Sequence, residues 1–360
     1  MPWRSARNLG AGLDLLRRSG PLYGWMRWRD ERAWARPGGH ATRVYEAIWR
    51  DAAGALGAEV LSLGDGYFEV RRGDRWTRTW MHWVMLDDIV TVRLALDKTM
   101  VGAMLAGEGL PTPEQREFGF RDLAPAREFL GVGTTPCVVK PASGTSGGEG
   151  VTSGVRSFAE LQRAALRASR GDTRLLIERQ APGDAYRLLF LDGELLDVVR
   201  RRPPSVVGDG ASTVAGLIAA ENHRRTAAGG RLGLRLLKVD LDCALALERA
   251  GLRLSSVPEA GRTVVLKGVV SQNAAEQNET VTEAPAGELV AEATAGVRRA
   301  GLRLAGVDLH TPDLGRSLRD AGGAIIEING TPGLHYHYQV ADEANASRVA
   351  VPILEGALDG

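Results

Sequence analysis

The sequence predicts an α+β protein with a distinct N-terminal lobe. Hairpin signals occur twice, where Gly73-Asp74 and Asp192-Gly193 each separate two runs rich in β-branched, aromatic and apolar residues. Apolar residues at helical spacing surround these runs, for example at residues 41–56. All eight tryptophans precede residue 84, and this shift in composition marks the N-terminal lobe as a separate unit.

Within the N-terminal lobe, the pattern predicts one or two short helices in residues 1–36, broken at residues 20–21 by a Gly-Pro pair. A longer helix is expected at residues 41–56, where apolar side chains share one side. The first hairpin then pairs residues 67–70 with residues 76–80.

From residue 97 onward, predicted helices and strands are mixed along the chain. The first of these helices ends where Gly109 and Pro111 interrupt the pattern. Helices are expected at residues 98–108, 157–169, 239–250 and 288–300. Strands are expected at residues 136–140, 175–177, 186–191, 195–200, 307–309 and 324–328.

The composition is that of a soluble globular protein and excludes several classes. Apolar residues make up 44% of the 360 residues and charged residues 25%. No apolar run is long enough to span a membrane and no secretory signal is seen, so a cytoplasmic location is expected. Cys137 and Cys243 cannot form a disulfide framework or a four-cysteine zinc site.

The charge balance predicts no nucleic-acid partner for the whole chain, because the net charge is only +1. The first 50 residues are different, with ten arginines against four acidic residues and several tryptophans. Arginine with aromatic residues can bind single strands by stacking, so a nucleic-acid or carrier-binding lobe stays an alternative. The ordinary interpretation is a solvated helical face over a core.

A glycine-rich loop is the first candidate for chemistry. The predicted strand ending at Lys140 leads into residues 143–151, which hold glycines at 144, 147, 148 and 150. Glycines allow backbone N–H groups to approach phosphate oxygens closely. The lysine precedes the loop, so this is neither a Walker A nor a Rossmann pattern. A flexible surface loop is the ordinary alternative.

A pair of strands late in the chain is the second candidate. Glu327 and Asn329 are two residues apart on a predicted strand, so both side chains point to one face. Asp308 ends its own strand and could complete the set. Oxygen ligands of this kind suit Mg²⁺. A polar face of an edge strand is the alternative.

Two weaker signals lie between these candidates. Residues 177–184 run from a strand into a loop whose backbone could bind an adenine edge, with Asp184 at a ribose hydroxyl. The arginine run at residues 200–202 could stabilise charge on a transferring phosphoryl group or an oxyanion. A solvated strand end would explain the arginines equally well.

Taken in order, these four elements resemble an ATP-grasp carboxylate–amine ligase. The resemblance is closest to the ATP-grasp module of cyanophycin synthetases and short ATP-grasp peptide ligases, and it covers roughly residues 95–340. It rests on Asp97-Lys98, Val139-Lys140-Pro141 with the glycine-rich loop, Tyr186-Arg187, Gly208-Asp209-Gly210, Gly306-Val307-Asp308, and Glu327-Ile328-Asn329-Gly330.

The resemblance implies a role for each matching position. Lys98 and Lys140 are expected to hold the α- and β-phosphates of ATP, and the loop from Gly144 to Gly150 to form the phosphate lid. The remaining roles that the resemblance implies are nucleoside binding by Glu178, Gln180, Ala181 and Asp184, phosphate contact by Gly147, Gly148 and Gly150, catalysis by Arg187 and Arg201, and metal binding by Asp308, Glu327 and Asn329. His337 is added as a candidate catalytic residue because it follows the metal strand.

The resemblance further implies ATP and two Mg²⁺ ions as cofactors and small amino acid or peptide substrates. It predicts an N-terminal lobe (1–95), a central lobe with the lid (96–175) and a C-terminal lobe with the metal site (176–360), with ATP between two antiparallel sheets. The chain departs from the cyanophycin synthetase pattern at residues 271–278, which leaves the substrate open.

Several questions stay open on the sequence alone. His335 and His337 follow the metal strand and could act as general bases or bind a carboxylate, although structural histidines are more common. A regulatory nucleotide-binding module without ligase activity and an enzyme that modifies a peptide or protein acceptor are the alternative functions. A homo-oligomer is also compatible with the sequence.

Overall fold

A computed structural model describes residues 39–143, 147–229 and 231–360. The predicted helices within residues 1–36 therefore lie outside the described part of the chain. Within that part, no helix is both long and apolar enough to cross a membrane.

The N-terminal lobe consists of one helix packed on an antiparallel four-stranded meander in the order β1-β2-β3-β4. The helix buries Trp49, whose indole Nε1 donates to the Met81 carbonyl at 2.7 Å. The first predicted hairpin is confirmed, with Gly73 at a φ of +60° in its two-residue turn. The elements are α1 (His40–Ala55), β1 (Glu59–Gly64), β2 (Tyr67–Arg72), β3 (Arg75–Trp80) and β4 (Trp83–Val84).

Two short helices, α2 (Ile89–Ala95) and α3 (Lys98–Gly107), connect this lobe to the next. An aspartate caps each helix: Asp88 accepts from the N–H groups of residues 90 and 91, and Asp97 from those of residues 99 and 100. The cap at Asp97 fixes the start of α3, so Lys98 projects from its first turn.

The central lobe is an antiparallel sheet in the order β5-β8-β6-β7, covered by two helices. Ser157 and Glu160 form a capping box at the start of the second helix, as the predicted boundary requires. The elements are β5 (Gln115–Gly119), α4 (Ala124–Gly131), β6 (Cys137–Pro141), β7 (Thr152–Val155), α5 (Phe158–Ala168) and β8 (Arg174–Arg179). β8 extends across the expected lobe boundary at residue 175 and belongs to this sheet.

The C-terminal lobe is built on a five-stranded antiparallel sheet in the order β13-β10-β9-β14-β15. Asp192 and Gly193 have φ of +51° and +85°, which confirms the second predicted hairpin. The elements are β9 (Asp184–Leu191), β10 (Glu194–Arg201), β11 (Ser205–Val207), α6 (Val214–Ala227), α7 (Leu241–Arg249), β12 (Thr263–Val265), β13 (Asn278–Thr280), α8 (Gly287–Ala300), β14 (Leu304–Thr311), α9 (Leu318–Ala321), β15 (Ala324–Asn329), α10 (His335–Tyr338) and α11 (Ala350–Asp359).

A subdomain between β10 and β13 contains the two-stranded sheet β11-β12 and the helices α6 and α7 around its own apolar core. Its helix α6 is absent from the elements predicted from sequence. Asp242 ties the subdomain to the central lobe, because its carboxylate accepts from the N–H of Ser153 at 2.8 Å and from Gly268 at 3.1 Å.

The two faces of the five-stranded sheet differ. α3 and α8 pack on the face formed by Leu188 and Phe190. On the opposite face, Leu189 packs against α1 and α11. Arg187, two residues before Leu189, lies on the same face. This face is therefore apolar where the N-terminal lobe covers it and charged beyond.

Candidate active site

Charged side chains form a row across the charged end of the five-stranded sheet. Arg187 on β9 is the direct register partner of Asp308 on β14, and Asp308 is the register partner of Glu327 on β15. Opposite residues in antiparallel strands share a face. Arg201 on β10 lies on the same face, diagonal to Arg187. The row therefore brings four predicted site residues together.

Asp308 is the centre of this row. Arg187 donates to both Asp308 oxygens at 2.7 Å, and Arg201 Nη1 lies 3.6 Å from Oδ1. Asn329 Nδ2 donates weakly to Asp308 Oδ2 at 3.3 Å. Burial raises the pKa of the Asp308 carboxyl, but the two arginines outweigh it and hold the pKa below its ordinary value. Burial likewise disfavours the charged form of Arg187, yet Asp308 keeps its pKa above the ordinary value.

Lys98 connects the row to the central lobe. Its Nζ lies 3.0 Å from Glu327 Oε1, while its backbone N–H donates to the Ala142 carbonyl at 3.0 Å, just after β6. Burial lowers the pKa of Lys98, but the negative charges of Glu327, Glu178 and Asp308 together raise it above the ordinary value. Acids from both sheets therefore act on one ammonium.

Lys140 and Glu178 form a buried ion pair on the central sheet. Nζ and Oε2 are 2.7 Å apart, and the two side chains are only 5% and 4% exposed. Both residues were expected to bind ATP, Lys140 at a phosphate and Glu178 at the nucleoside. The structure places them together, on neighbouring strands β6 and β8.

Aromatic rings lie beside the row and contact the N-terminal lobe. The guanidinium of Arg201 lies 4.0 Å from the ring centre of Tyr336, and that of Arg187 lies 5.7 Å from it. His335 stacks on Tyr336 with ring centres 4.0 Å apart and accepts from or donates to Tyr45 Oη at 2.7 Å. Burial lowers the pKa of His335 well below its ordinary value, so its ring is neutral at pH 7.

The described part of the glycine-rich loop packs on the C-terminal lobe. Gly147, Gly148 and Gly150 have φ of +64°, +70° and +80°, the region that favours glycine. A Cβ at Gly147 would lie 2.0 Å from the Arg235 guanidinium carbon, and one at Gly148 would lie 2.4 Å from Ser271 Oγ. A residue other than glycine would therefore force these neighbouring side chains to shift. Residues 144–146 of the expected lid lie outside the described residues.

The expected metal ligands offer only oxygen donors of the kind Mg²⁺ prefers, two carboxylates and one carboxamide. They lie on adjacent positions of β14 and β15. Among the described residues, no group of three or more His, Cys, Asp or Glu side chains could hold a metal ion. A site here would therefore need the carboxamide of Asn329 with Asp308 and Glu327.

Curated relatives are similar to this chain in sequence. A cyanophycin synthetase of Nostoc sp. is 35% identical over 252 residues, which are 69% of this chain and 28% of the relative. A bifunctional glutathione biosynthesis protein of Enterococcus faecalis is 31% identical over 262 residues, 70% of this chain and 34% of the relative. This chain thus spans about a third of the length of the curated relatives it matches. No protein-family model matches the chain.

A solved structure decides the fold. The crystal structure of a bifunctional glutathione synthetase from Pasteurella multocida superimposes with a TM-score of 0.53 over 86% of this chain and 43% of the other, at 22% identity. This chain has the ATP-grasp fold. The resemblance and the α+β class predicted from the sequence are confirmed.

The expected nucleoside-binding residues of this ATP-grasp protein lie around the turn from β8 to β9. Gln180 Oε1 accepts from the Gly154 N–H at 3.0 Å, which ties the turn to β7. Ala181 follows in the turn and is partly exposed, and the Asp184 carboxylate pairs with Arg200. These side chains hold the turn together in this structure, and their contact with a nucleoside stays a prediction.

His337 differs from the other expected catalytic residues in its surroundings. Its ring is wholly buried, and Nδ1 lies 2.5 Å from Asp197 Oδ2 on β10. Asp197 also accepts from Ser347 Oγ at 2.7 Å. Burial lowers the pKa of His337, although Asp197 opposes this shift. The contact between His337 and Asp197 fastens α10 to the sheet.

Sequence reasoning missed three side chains near the row: Tyr336, His82 and Arg235. Tyr336 lies between the two histidines that drew attention, but a single aromatic residue carries no signal of its own. His82 follows β3 in the N-terminal lobe, and Arg235 lies in the loop between α6 and α7. Only the packing of three separate segments brings them near one another.

Proposed function

We propose that this ATP-grasp protein is an ATP-dependent ligase. It would join a carboxylate, activated as an acyl phosphate, to the amine of an amino acid or peptide, releasing ADP and phosphate. The observation that supports this most is the row of Arg201, Arg187, Asp308 and Glu327, met by Lys98 from the central lobe.

The charges in and beside the row suit phosphoryl transfer. Four cations and three carboxylates lie there, which leaves a formal excess of one positive charge and favours an anionic ligand such as a triphosphate: Lys98, Lys140, Arg187 and Arg201 against Glu178, Asp308 and Glu327. Phosphoryl transfer needs positioning and charge neutralisation rather than a protein nucleophile. Burial strengthens the charge neutralisation, because opposite charges interact more strongly where water is excluded.

Each group has a place in the proposed reaction. Lys98 and Lys140 would contact the α- and β-phosphates, and Arg187 and Arg201 the transferred phosphoryl group. A carboxylate oxygen of the donor attacks the γ-phosphorus, and the bond to ADP breaks. The amine nitrogen then attacks the acyl carbon, its proton leaves, and the bond to phosphate breaks. The product is lighter by one water than the two substrates together.

Asp308, Glu327 and Asn329 would hold Mg²⁺, since their oxygen donors fit that ion. When bound, Mg²⁺ neutralises phosphate charge. The number of ions, the cytoplasmic location, the lobe boundaries and the general base remain predictions. His337 would need access to substrate, and its ring is wholly buried.

The test is release of ADP and phosphate by the purified full chain with Mg-ATP and pooled amino acids and small peptides, with mass spectrometry of the products. Release should require both a carboxylate and an amine. Glu327→Ala and Asn329→Ala should abolish release, whereas Glu283→Ala, an exposed acid outside the site, should not.

Three outcomes separate the alternatives. Release that needs a peptide or protein acceptor would favour the modifying enzyme. Nucleotide binding without release under any pool would favour a regulatory module. Full turnover in both Glu327→Ala and Asn329→Ala would contradict the metal assignment.

A further inference from the structure

Arg235 lies beside the glycine-rich loop. Its guanidinium is so close to Gly147 that a Cβ there would lie 2.0 Å from Cζ and 2.2 Å from Nη2. Among residues 39–143, 147–229 and 231–360, no carboxylate is within ion-pair distance of it and no acceptor receives its N–H groups. The other arginines of the site are different, because Arg187 and Arg201 both face Asp308.

Neutral rings lie within electrostatic range of this cation. The positive charge of Arg235 adds to burial in lowering the pKa of His82 to about 4 and in lowering that of His335. Tyr45 Oη, 2.7 Å from His335 Nδ1, is buried and its pKa is raised, so the phenol also stays neutral. One uncompensated positive charge therefore faces groups that carry none at pH 7.

The rings also connect this cation to the reaction centre. Tyr45 lies 5.6 Å from His82 and 5.9 Å from His335, measured between ring centres. His335 stacks on Tyr336, and Tyr336 lies against Arg201. A molecule held at Arg235 would thus lie near the rings that contact Arg201.

We propose that Arg235 binds the carboxylate of the amine substrate, the one that is not activated. The substrate class that follows is an amino acid or peptide with a free carboxylate and a single negative charge at that end. The planar guanidinium matches a carboxylate in two parallel hydrogen bonds. Because the rings of His82, His335 and Tyr45 are neutral, a second anionic group at this end of the substrate would have no counter-charge. This inference rests on the proposed ligase function.

The terminal phosphate of ATP is the competing ligand for Arg235, because it is also an oxyanion that a guanidinium can bind. The two sources are separable by kinetics. An arginine for the substrate carboxylate changes the KM of the amine substrate, whereas an arginine for the phosphate changes the KM of ATP.

The experiment compares the wild-type full chain with Arg235→Gln and Arg235→Lys. Arg231→Gln is the matched control, since Arg231 is exposed in the same loop. Steady-state ADP release is measured with the amine substrate that the pooled assay identifies and with its carboxamide, in which the charge is removed. Circular dichroism and thermal midpoints check that each variant folds.

The wild type should prefer the acid over the amide, and Arg235→Gln should raise the KM of the acid about 10- to 100-fold, the loss expected for one charge-assisted pair. The KM of ATP should change less than about twofold, and the preference for acid over amide should vanish. Arg235→Lys should keep part of the preference. Equal KM values for acid and amide in the wild type, or a change confined to ATP, would overturn the assignment.

A second readout needs no turnover. Calorimetric titration with acetate, benzoate and N-acetylglycine, each against its amide, measures carboxylate binding directly. At least one acid should bind the wild type more tightly than its amide and lose that advantage in Arg235→Gln. If no ADP is released but carboxylate binding depends on Arg235, the ligase function is rejected and the carboxylate site is kept. If ADP is released but neither release nor binding depends on Arg235, the ligase function is kept and the carboxylate site is rejected.

Discussion

The substitution Asp308→Asn keeps the shape of the central side chain of the row and removes its charge from between two arginines. Arg187 and Arg201 are 6% and 5% exposed, so neither can turn to water when the carboxylate is lost. The two hydrogen bonds from Arg187, both 2.7 Å, would be reduced to one at most. We therefore expect a marked loss of stability in the absence of ligands.

The size of this loss follows from the burial of the pair. Breaking a buried ion pair from one side costs about 3–5 kcal/mol, because an uncompensated charge stays behind. The Asp308 side chain is itself 21% exposed, which favours the lower end, about 3 kcal/mol. Asp192→Asn is the matched control: Arg303 binds Asp192 in the same two-bond manner, at 2.7 and 3.0 Å, but 49% of the Asp192 side chain is exposed. That exposed pair is worth less than about 1 kcal/mol.

The assay is denaturant unfolding of both variants and the wild type, with and without ATP in the presence of a chelator. ATP should stabilise Asp308→Asn more than the wild type, since its phosphates replace the lost negative charge between the arginines. A loss below about 1 kcal/mol in Asp308→Asn, or an equal loss in Asp192→Asn, would refute the reasoning.

Three further changes have expected outcomes. Burial, aided by nearby arginines, lowers the pKa of His82 to about 4. The stability that His82 contributes above pH 6.5 is therefore lost as the pH falls towards 4, because the unfolded chain takes up the proton there and the folded chain does not. Denaturation at pH 7 and 4.5 should show at most about 3 kcal/mol less pH dependence in His82→Phe than in the wild type, and an unchanged pH dependence would contradict this. Gly183→Ala should destabilise by more than about 3 kcal/mol, because its Cβ would lie 2.1 Å from a Thr311 backbone carbon, whereas Gly251→Ala, with open space at a similar φ, should cost about 1 kcal/mol by thermal unfolding. Lys98→Met should raise the KM of ATP about tenfold or more, and an unchanged KM would exclude Lys98 from phosphate binding.

Local patterns in the sequence were enough for several elements and for part of the site. The Asp192-Gly193 turn needs two positive φ angles, which this pair of residues tolerates, so the hairpin of β9 and β10 could be recognised directly. The two-residue period of a strand likewise places Glu327 and Asn329 on one face. The capping residues that start α3 and α5 are also visible in sequence.

Other features depend on segments that are far apart in the chain. Helix α6 was missed because residues on most of its sides are buried in the subdomain, so its sequence lacks one apolar stripe. The sequence makes His337 a candidate base, and only the tertiary structure shows that its ring is buried against Asp197, 140 residues away.

The sequence by itself determined the α+β class, the ATP-grasp resemblance and the residues of the charged row, because each depends on turn chemistry, strand period or a short motif. Only the tertiary structure decided that Lys140 pairs with Glu178 and that Arg235 lies near the rings of His82 and His335. Contacts across a sheet and between lobes join residues that are far apart in the chain. No local sequence pattern shows which charged side chains will be buried next to one another.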